Sequence, residues 1–145
     1  FCPDPAGTPM ATSLHMGDSG LLRSRKGVME WMIQPHVRPS AGGGDSSVLT
    51  RAIGSTPGVP LEIHRFTLEP GDTWILCSDG LTHMIPLERI QACVDACAGL
   101  TLPKLVETLV GAANEAGGRD NVTVIAARVS RTGPESSAGD GSCDT

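Results

Sequence analysis

The sequence predicts an α+β domain in which two helices lie on antiparallel strands, and three observations support this. Short apolar segments interrupted by Gly, Pro and Asp fill much of residues 12–77 and are typical of strands. Two apolar stripes with helical spacing follow, and a β-branched segment at 122–129 then returns to strand-like sequence. The length of 145 residues fits one domain.

The N-terminal third predicts short strands separated by turns. Residues 1–11 contain three prolines and form an irregular segment. A strand is predicted at 12–16, and Gly17-Asp18-Ser19-Gly20 then makes a tight bend before strand character resumes at Leu21-Leu22. Residues 28–33 form the next predicted strand.

A loop and a hairpin are predicted in the middle of the chain. Residues 35–47 contain two prolines and three consecutive glycines, so they predict a flexible loop. Residues 61–68 and 73–77 are strand-like and flank Glu69-Pro70-Gly71-Asp72, where Pro followed by Gly specifies a type II turn. The second of these strands is apolar on both faces, which is typical of a sheet covered on both sides.

Two amphipathic helices and a last strand complete the predicted fold. The first helix starts behind Pro86 and the second ends at Gly117-Gly118. Their apolar stripes consist of Leu87, Ile90, Val94 and Cys97 in the first, and of Leu102, Leu105, Val106, Leu109, Val110 and Ala113 in the second. Residues 131–145 are Ser, Gly and acidic residues, which predict a disordered tail.

Composition excludes several function classes. The net charge of −5 and the lack of a long basic run argue against nucleic-acid binding. No apolar run reaches the ~18 residues that span a bilayer, so a membrane protein is not expected. Five cysteines, an odd number without paired spacing, predict free thiols and a cytoplasmic location.

Two aspartates stand where buried strands end or begin. Asp79 follows the strand at 73–77, and Asp120 precedes the strand at 122–129, so both can project from one edge of a sheet. Gly80 and Gly118 permit close backbone approach there. Carboxylate oxygens suit a hard divalent cation such as Mg²⁺ or Mn²⁺. The structural alternative is that both aspartates only form turns.

Five sequence blocks, in this order, resemble the metal-dependent serine/threonine protein phosphatases of type 2C (the PPM family), and most closely the bacterial members. The blocks are Met16-Gly17-Asp18-Ser19, Leu49-Thr50-Arg51-Ala52-Ile53-Gly54, Leu68-Glu69-Pro70-Gly71-Asp72, Leu76-Cys77-Ser78-Asp79-Gly80-Leu81-Thr82 and Gly117-Gly118-Arg119-Asp120-Asn121-Val122-Thr123-Val124. The resemblance implies part of a four-layer α-β-β-α sandwich of antiparallel sheets. Residues 12–130 would form its C-terminal part, with the N-terminal half of the domain absent from these residues.

The resemblance also implies a chemistry. Asp79 and Asp120 would bind a centre of two Mg²⁺ or Mn²⁺ ions, and Asp18 would help to hold a further ion. A water activated by the metals, rather than a catalytic side chain, would attack phosphoserine or phosphothreonine in a protein. The implied partners are phosphorylated proteins and a cognate serine/threonine kinase, and the implied state is a monomer.

The sequence departs from the family pattern at three places. Gly20 stands where the family usually has Arg, and His83 stands where it usually has Asp, which makes a third metal site doubtful. The N-terminal half of the family's active site, with its phosphate-binding Arg and its Asp-Gly-x-Gly-Gly motif, has no counterpart here. We therefore predict that residues 1–145 alone are inactive.

Other functions were weighed against this one. A non-catalytic, phosphatase-like module for protein interaction is the main alternative. Gly17-Asp18-Ser19-Gly20 also resembles the nucleophile motif of trypsin-like serine proteases, but Leu21 and the context of His15 fit that family poorly. Cys77, Cys93 and Cys97 lack the paired spacings of structural zinc, and His36 and His64 are interpreted as ordinary loop and strand residues.

Overall fold

A computed structural model describes residues 8–39, 47–55, 58 and 61–130. The predicted disordered tail at 131–145 and most of the predicted irregular N-terminal segment lie outside these residues. The elements in chain order are β1 (Met10–His15), β2 (Gly20–Arg25), β3 (Val28–Ile33), β4 (Val37–Pro39), β5 (Ser47–Leu49), β6 (Glu62–Thr67), β7 (Thr73–Cys77), α1 (Asp79–Thr82), α2 (Leu87–Ala96), α3 (Leu102–Glu115) and β8 (Val124–Arg128).

The main sheet has four antiparallel strands in the order β3-β2-β7-β8. Strands β2 and β3 are joined by Lys26 and Gly27, which both have positive φ angles of 54° and 79°. Two successive positive φ angles are those of a type I′ turn, whose twist matches that of antiparallel strands. The prediction of an α+β fold with antiparallel sheets is confirmed.

A second sheet consists of β1 and β6, which pair antiparallel from Met10 opposite Thr67 to His15 opposite Glu62. The Phe66 ring lies 5.5 Å from the ring of Trp74 in the main sheet. Because Trp74 is buried, this aromatic contact joins the two sheets face to face.

The predicted hairpin between residues 61–68 and 73–77 is wrong, although its turn is confirmed. The Asp72 amide donates to the Glu69 carbonyl at 3.0 Å, and Gly71 has a φ of 98°, as a type II turn requires. However, β6 pairs with β1 while β7 pairs with β2 and β8, so the turn carries the chain from one sheet to the other.

Arg25 anchors this crossing point. Its guanidinium donates to both carboxylate oxygens of Asp72, at 2.7 and 2.6 Å, and to Glu69 Oε1 at 2.6 Å. Asp72 is almost completely buried, with 1% of its surface exposed. Burial raises the pKa of Asp72, but the hydrogen bonds from Arg25 and from the Glu69 amide outweigh that effect and lower it.

The predicted loop at 35–47 contains regular structure at both ends. Val37–Pro39 and Ser47–Leu49 pair as a small antiparallel sheet, with Val37 opposite Leu49. The first strand also starts two residues earlier than the predicted Thr12, at Met10. Strands of three residues carry too little periodic pattern to be recognised in a sequence.

Helices α2 and α3 pack on one face of the main sheet, as their apolar stripes predict. The buried core includes Leu22, Ile75, Leu81, Ile90, Val94, Leu105 and Leu109. The described cysteines Cys77, Cys93 and Cys97 are buried free thiols, and burial raises the pKa of Cys77 to about 11. No described helix is both long enough and apolar enough to cross a membrane.

The other face of the main sheet is only partly covered, so the prediction that β7 is buried on both faces is wrong at Leu76. Leu76 and Ile125 lie opposite each other in β7 and β8, and they are 44% and 60% exposed. On the outer face of the second sheet, Leu14 and Ile63 also lie opposite each other and are both 62% exposed. These two apolar pairs are unusual on a protein surface.

Candidate metal centre

Three aspartates lie just outside the main sheet, next to one row of residues that are paired across three strands. In that row Gly20 begins β2, Cys77 ends β7 and Val124 begins β8, and Cys77 is paired with the other two. Because the strands are antiparallel, the segments before Gly20, after Cys77 and before Val124 all leave the sheet at the same edge. Asp18, Asp79 and Asp120 occupy these three segments. The prediction that Asp79 and Asp120 lie at the same edge of one sheet is therefore confirmed.

Asp79 is the first residue of α1, a one-turn helix that the sequence analysis did not predict. Four residues is too short for an apolar stripe, which explains why no pattern indicated this helix. The Asp79 side chain is 30% exposed, and its Oδ2 lies 3.7 Å from His83 Nδ1. Asp79 is thus partly desolvated, and its only described ion-pair contact is His83, the residue that stands where the resembled family usually has Asp.

Ser78 holds the segment around Asp79 against the segment around Asp120. The Ser78 amide donates to the Thr123 carbonyl at 3.1 Å, and the Ser78 hydroxyl accepts from the Thr123 amide at 3.0 Å. The same hydroxyl donates to the Asn121 carbonyl at 3.1 Å. These three bonds continue the pairing of β7 with β8 beyond the regular ladder.

Gly80 is required by this close approach. A Cβ atom at position 80 would lie 2.3 Å from the Asn121 carbonyl oxygen, which is far inside van der Waals contact. The expectation that Gly80 permits close backbone approach is confirmed. Gly117 and Gly118, with φ angles of 131° and 52°, turn the chain from the end of α3 toward Asp120.

Asp120 is exposed, and its Oδ1 accepts a hydrogen bond from the Asn121 amide at 2.7 Å. This contact is the turn-forming role that the sequence analysis kept as an alternative, and it leaves the other carboxylate oxygen available. Asp120 also lines an open cavity of about 560 Å³ together with Thr82, His83, Met84 and Arg119.

Asp18 lies in the bend between β1 and β2 and is half-buried. Gly17, directly before it, has a φ of 126°, a conformation that favours glycine. The Gly17 carbonyl accepts from the His36 amide at 2.8 Å, and the Gly17 amide donates to His36 Nδ1 at 3.2 Å. The backbone of the Asp18 bend is therefore fixed by the segment that follows β3.

Gly20, where the resembled family usually has Arg, has a packing reason in this chain. A Cβ at position 20 would lie 2.4 Å from Cζ3 of Trp31. The indole of Trp31 thus occupies the space above Gly20, and any larger side chain there would displace it.

The donor set of this edge fits hard divalent cations. Three carboxylates lie in segments that leave the sheet at one edge, each at least partly accessible to solvent, and oxygen ligands are those that Mg²⁺ and Mn²⁺ prefer. The close contact at Gly80 sets the segments of Asp79 and Asp120 side by side, as ligands of shared ions must be.

Sequence reasoning missed a different cluster of metal-ligating groups. Within the described residues, the one group of three or more His, Cys, Asp or Glu side chains with a donor atom each within 4.8 Å of the others is His15, His36 and Glu62. These residues are separated by 21 and 26 positions, so no local spacing pattern indicated that they meet. Only the pairing of β1 with β6, which sets His15 opposite Glu62, brings them together.

The fold places this chain in the class of PPM phosphatase domains, and comparisons with known proteins support this class. A family model described as Stage II sporulation protein E matches residues 44–130, more than half of the chain. Among curated proteins, the protein phosphatase PhpP of Streptococcus pneumoniae is 40% identical over 78 residues, which are 54% of this chain and 31% of that protein.

Solved structures agree with this class. The serine/threonine phosphatase of S. agalactiae matches with a TM-score of 0.71 and 26% identity, over 81% of this chain and 52% of that one. The PPM Ser-Thr phosphatase MsPP from Mycobacterium smegmatis, solved in complex with cacodylate, matches with a TM-score of 0.67 and 30% identity, over 81% and 55%.

The chain belongs to the Stage II sporulation protein E and type 2C (PPM) family of serine/threonine phosphatase domains. It spans about a third of the length of the curated relatives that it matches. The family resemblance seen in the five sequence blocks is confirmed.

Proposed function

We propose that this chain forms part of a domain that hydrolyses phosphoserine and phosphothreonine in proteins by means of a metal-activated water. The observation that carries the proposal is the placement of Asp18, Asp79 and Asp120 beyond one row of the main sheet, in a chain whose relatives are serine/threonine phosphatases. Its substrates would be phosphorylated proteins, and the kinase that phosphorylates them would be its functional counterpart.

In this proposal Asp79 and Asp120 bind the catalytic ions, and Asp18 contributes to a further ion. Two divalent ions bound here would lower the pKa of a water molecule and neutralise the phosphoryl oxygens, which is the chemistry of two-metal hydrolases. We propose Mg²⁺ or Mn²⁺, since the proposed ligands at this edge are three carboxylates.

The neighbouring residues set the geometry and the charge. Ser78 and Gly80 fix the distance between the segments that carry Asp79 and Asp120, through the hydrogen bonds to 121–123 and the close contact with Asn121. Arg119 lines the cavity beside Asp120, where its positive charge attracts a phosphoryl group that approaches from solvent. No side chain of this chain is required to form a covalent intermediate.

A phosphatase assay on the full-length protein tests the proposal. We expect the protein to release phosphate from a phosphothreonine peptide with Mn²⁺ or Mg²⁺, to lose this activity in excess EDTA and to regain it when Mn²⁺ is restored. Full activity in EDTA would contradict the two-metal mechanism. Metal binding without turnover on any phosphopeptide would favour a non-catalytic interaction module.

A further inference from the structure

The group formed by His15, His36 and Glu62 lies at the junction of three segments. His15 ends β1, Glu62 begins β6 directly opposite it, and His36 comes from the segment after β3. One donor atom from each residue lies within 4.8 Å of those from the other two. The two imidazole rings are 4.4 Å apart between centroids.

The hydrogen bonds of His15 define which of its nitrogens is free. Its Nε2 lies 2.8 Å from the Ser19 carbonyl, which can only accept, so Nε2 carries the proton. Nδ1 therefore holds a lone pair. His15 is only 8% exposed, and in the described residues Nδ1 is buried without a hydrogen-bond partner. A metal ligand whose other nitrogen donates to a backbone carbonyl has this arrangement.

His36 presents a second buried nitrogen to the same place. Its Nε2 is buried and lies 3.2 Å from Glu62 Oε2, in an ion-pair contact with that carboxylate. The unpartnered Nδ1 of the buried His15 beside this pair is a rare feature, because buried polar atoms are nearly always paired.

Two of the three ligands, His15 and Glu62, are in the protonation state that binds a metal. Burial is the main cause that lowers the pKa of His15, and the neighbouring His36 lowers it further, so His15 is neutral at pH 7. Contacts with His36 and then with His64 lower the pKa of Glu62 to about 2, so that its carboxylate is charged. Arg51 also pairs with Glu62 through Oε1.

We propose that His15, His36 and Glu62 form a binding site for a divalent transition-metal ion, with zinc as the best-fitting ion, separate from the three-aspartate edge. Two imidazoles and one carboxylate with a fourth position open to water are a typical zinc ligand set. Ligand atoms ~2.1 Å from a tetrahedral zinc are ~3.4 Å apart. The pair of His36 and Glu62 already has this spacing, at 3.2 Å.

Metal binding at this site would alter a hydrogen bond in the bend that contains Asp18. Without metal, His36 Nδ1 accepts from the Gly17 amide at 3.2 Å and therefore carries no proton. A metal on Nε2 places the proton of the neutral imidazole on Nδ1, and the Gly17 amide then loses its acceptor. Zinc binding is thus coupled to the conformation at Gly17, the residue before Asp18.

Calorimetric titration of the full-length protein with zinc tests the proposal. Excess Mg²⁺ is included to occupy the three aspartates. We expect His36→Gln and Glu62→Gln each to weaken zinc binding by at least about tenfold, the lower limit seen even for outer-shell partners of a metal. Glu107→Gln is the matched control for Glu62→Gln, since it removes an exposed carboxylate outside the group, and it should leave zinc affinity unchanged. His15→Asn should weaken zinc binding to the same extent as His36→Gln and Glu62→Gln.

Cobalt(II) absorption of the unmodified protein provides a readout that does not depend on the folding of any variant. We expect a spectrum of nitrogen and oxygen ligands, displaced by one equivalent of zinc, and a zinc-dependent shift of the Gly17 amide resonance. A thiolate charge-transfer band would assign the ion to cysteines and overturn the proposal. Absence of zinc binding, or equal affinity in the protein and all three variants, would also overturn it.

Discussion

The Ser78 hydroxyl accepts a hydrogen bond from the Thr123 amide at 3.0 Å, one residue beyond the last pair of the β7 and β8 ladder. This contact connects a strand end to a strand start without regular pairing. The backbone positions of Asp79 and Asp120 relative to each other depend on it, because each aspartate lies within three residues of this bond. The predictions for the metal centre follow from this geometry.

Replacing Asp79 or Asp120 by Asn removes one charged ligand and keeps the shape of the side chain. We expect kcat of the full-length protein to fall by about 10²-fold or more, as when a single electrostatic stabiliser of a transition state is removed. Asp95→Asn is the control, because Asp95 is exposed on α2 and its side chain bonds only to Gln91 among the described contacts. Near-normal turnover of either centre variant would leave these aspartates as turn formers only.

His83→Asp places a carboxylate where the related phosphatases usually have one. In the present chain His83 Nδ1 lies 3.7 Å from Asp79 Oδ2. Carboxylate oxygen suits Mg²⁺ better than imidazole nitrogen does. We expect the ratio of Mg²⁺-supported to Mn²⁺-supported turnover to rise in this variant, measured at saturating concentrations of each ion. An unchanged ratio would mean that position 83 does not contact the ions.

Gly80→Ala introduces a Cβ that would lie 2.3 Å from the Asn121 carbonyl oxygen. The segments of Asp79 and Asp120 must then separate, so we expect weaker Mn²⁺ affinity together with a loss of about 1–3 kcal/mol of stability, as overpacking usually causes. Gly111→Ala is the matched control, because nothing lies within 4 Å of its Cβ position in α3. That variant should gain about 0.5–1 kcal/mol from helix propensity. Equal Mn²⁺ affinity in both variants would contradict the role of Gly80.

Arg25→Met leaves the buried Asp72 carboxylate without its guanidinium partner. We expect the free energy of unfolding at pH 7 to fall by about 3–5 kcal/mol in urea denaturation, which is typical of a broken buried ion pair. Lys104→Met, which breaks an exposed pair with Glu107, should change it by less than about 0.5 kcal/mol.

The pH dependence of the same variant gives a further check. Since the pKa of Asp72 is lowered in the folded state, the unfolded state binds more protons below about pH 3.8, and the stability from this pair is lost as the pH falls through the folded pKa. The stabilities of the protein and of Arg25→Met should therefore converge in acid. A constant difference from pH 7 to pH 2 would contradict this assignment.

Local patterns predicted most elements but not how the strands are arranged. Helices α2 and α3 follow from apolar stripes, and the turn at residues 69–72 follows from Pro70 and Gly71. A turn fixes only the local reversal of the chain. The partners of β6 and β7 depend on β1 and β2, which lie more than 40 residues earlier, and no local signal encodes that choice.

In the candidate site, too, local patterns predicted some features, whereas others depend on the pairing of distant strands. The shared sheet edge of Asp79 and Asp120 could be predicted because each lies within a few residues of a recognisable strand. For Gly80, the sequence predicted a close backbone approach but not that Asn121 is the neighbour. The sequence did not predict that His15, His36 and Glu62 lie close together. That cluster exists because the second sheet pairs distant strands, and a single sequence does not reveal such pairing.

The two sheets close chain loops of equal length. Met10 contacts Thr67 and Gly20 contacts Cys77, and each pair is separated by 57 residues. Once either pair has formed, the other is already near, so the second sheet forms with little additional loss of chain entropy. The folding rate should therefore depend on one long-range encounter. Doubling the length of the intervening segment would raise the entropic barrier by only about 0.6 kcal/mol, for both sheets together.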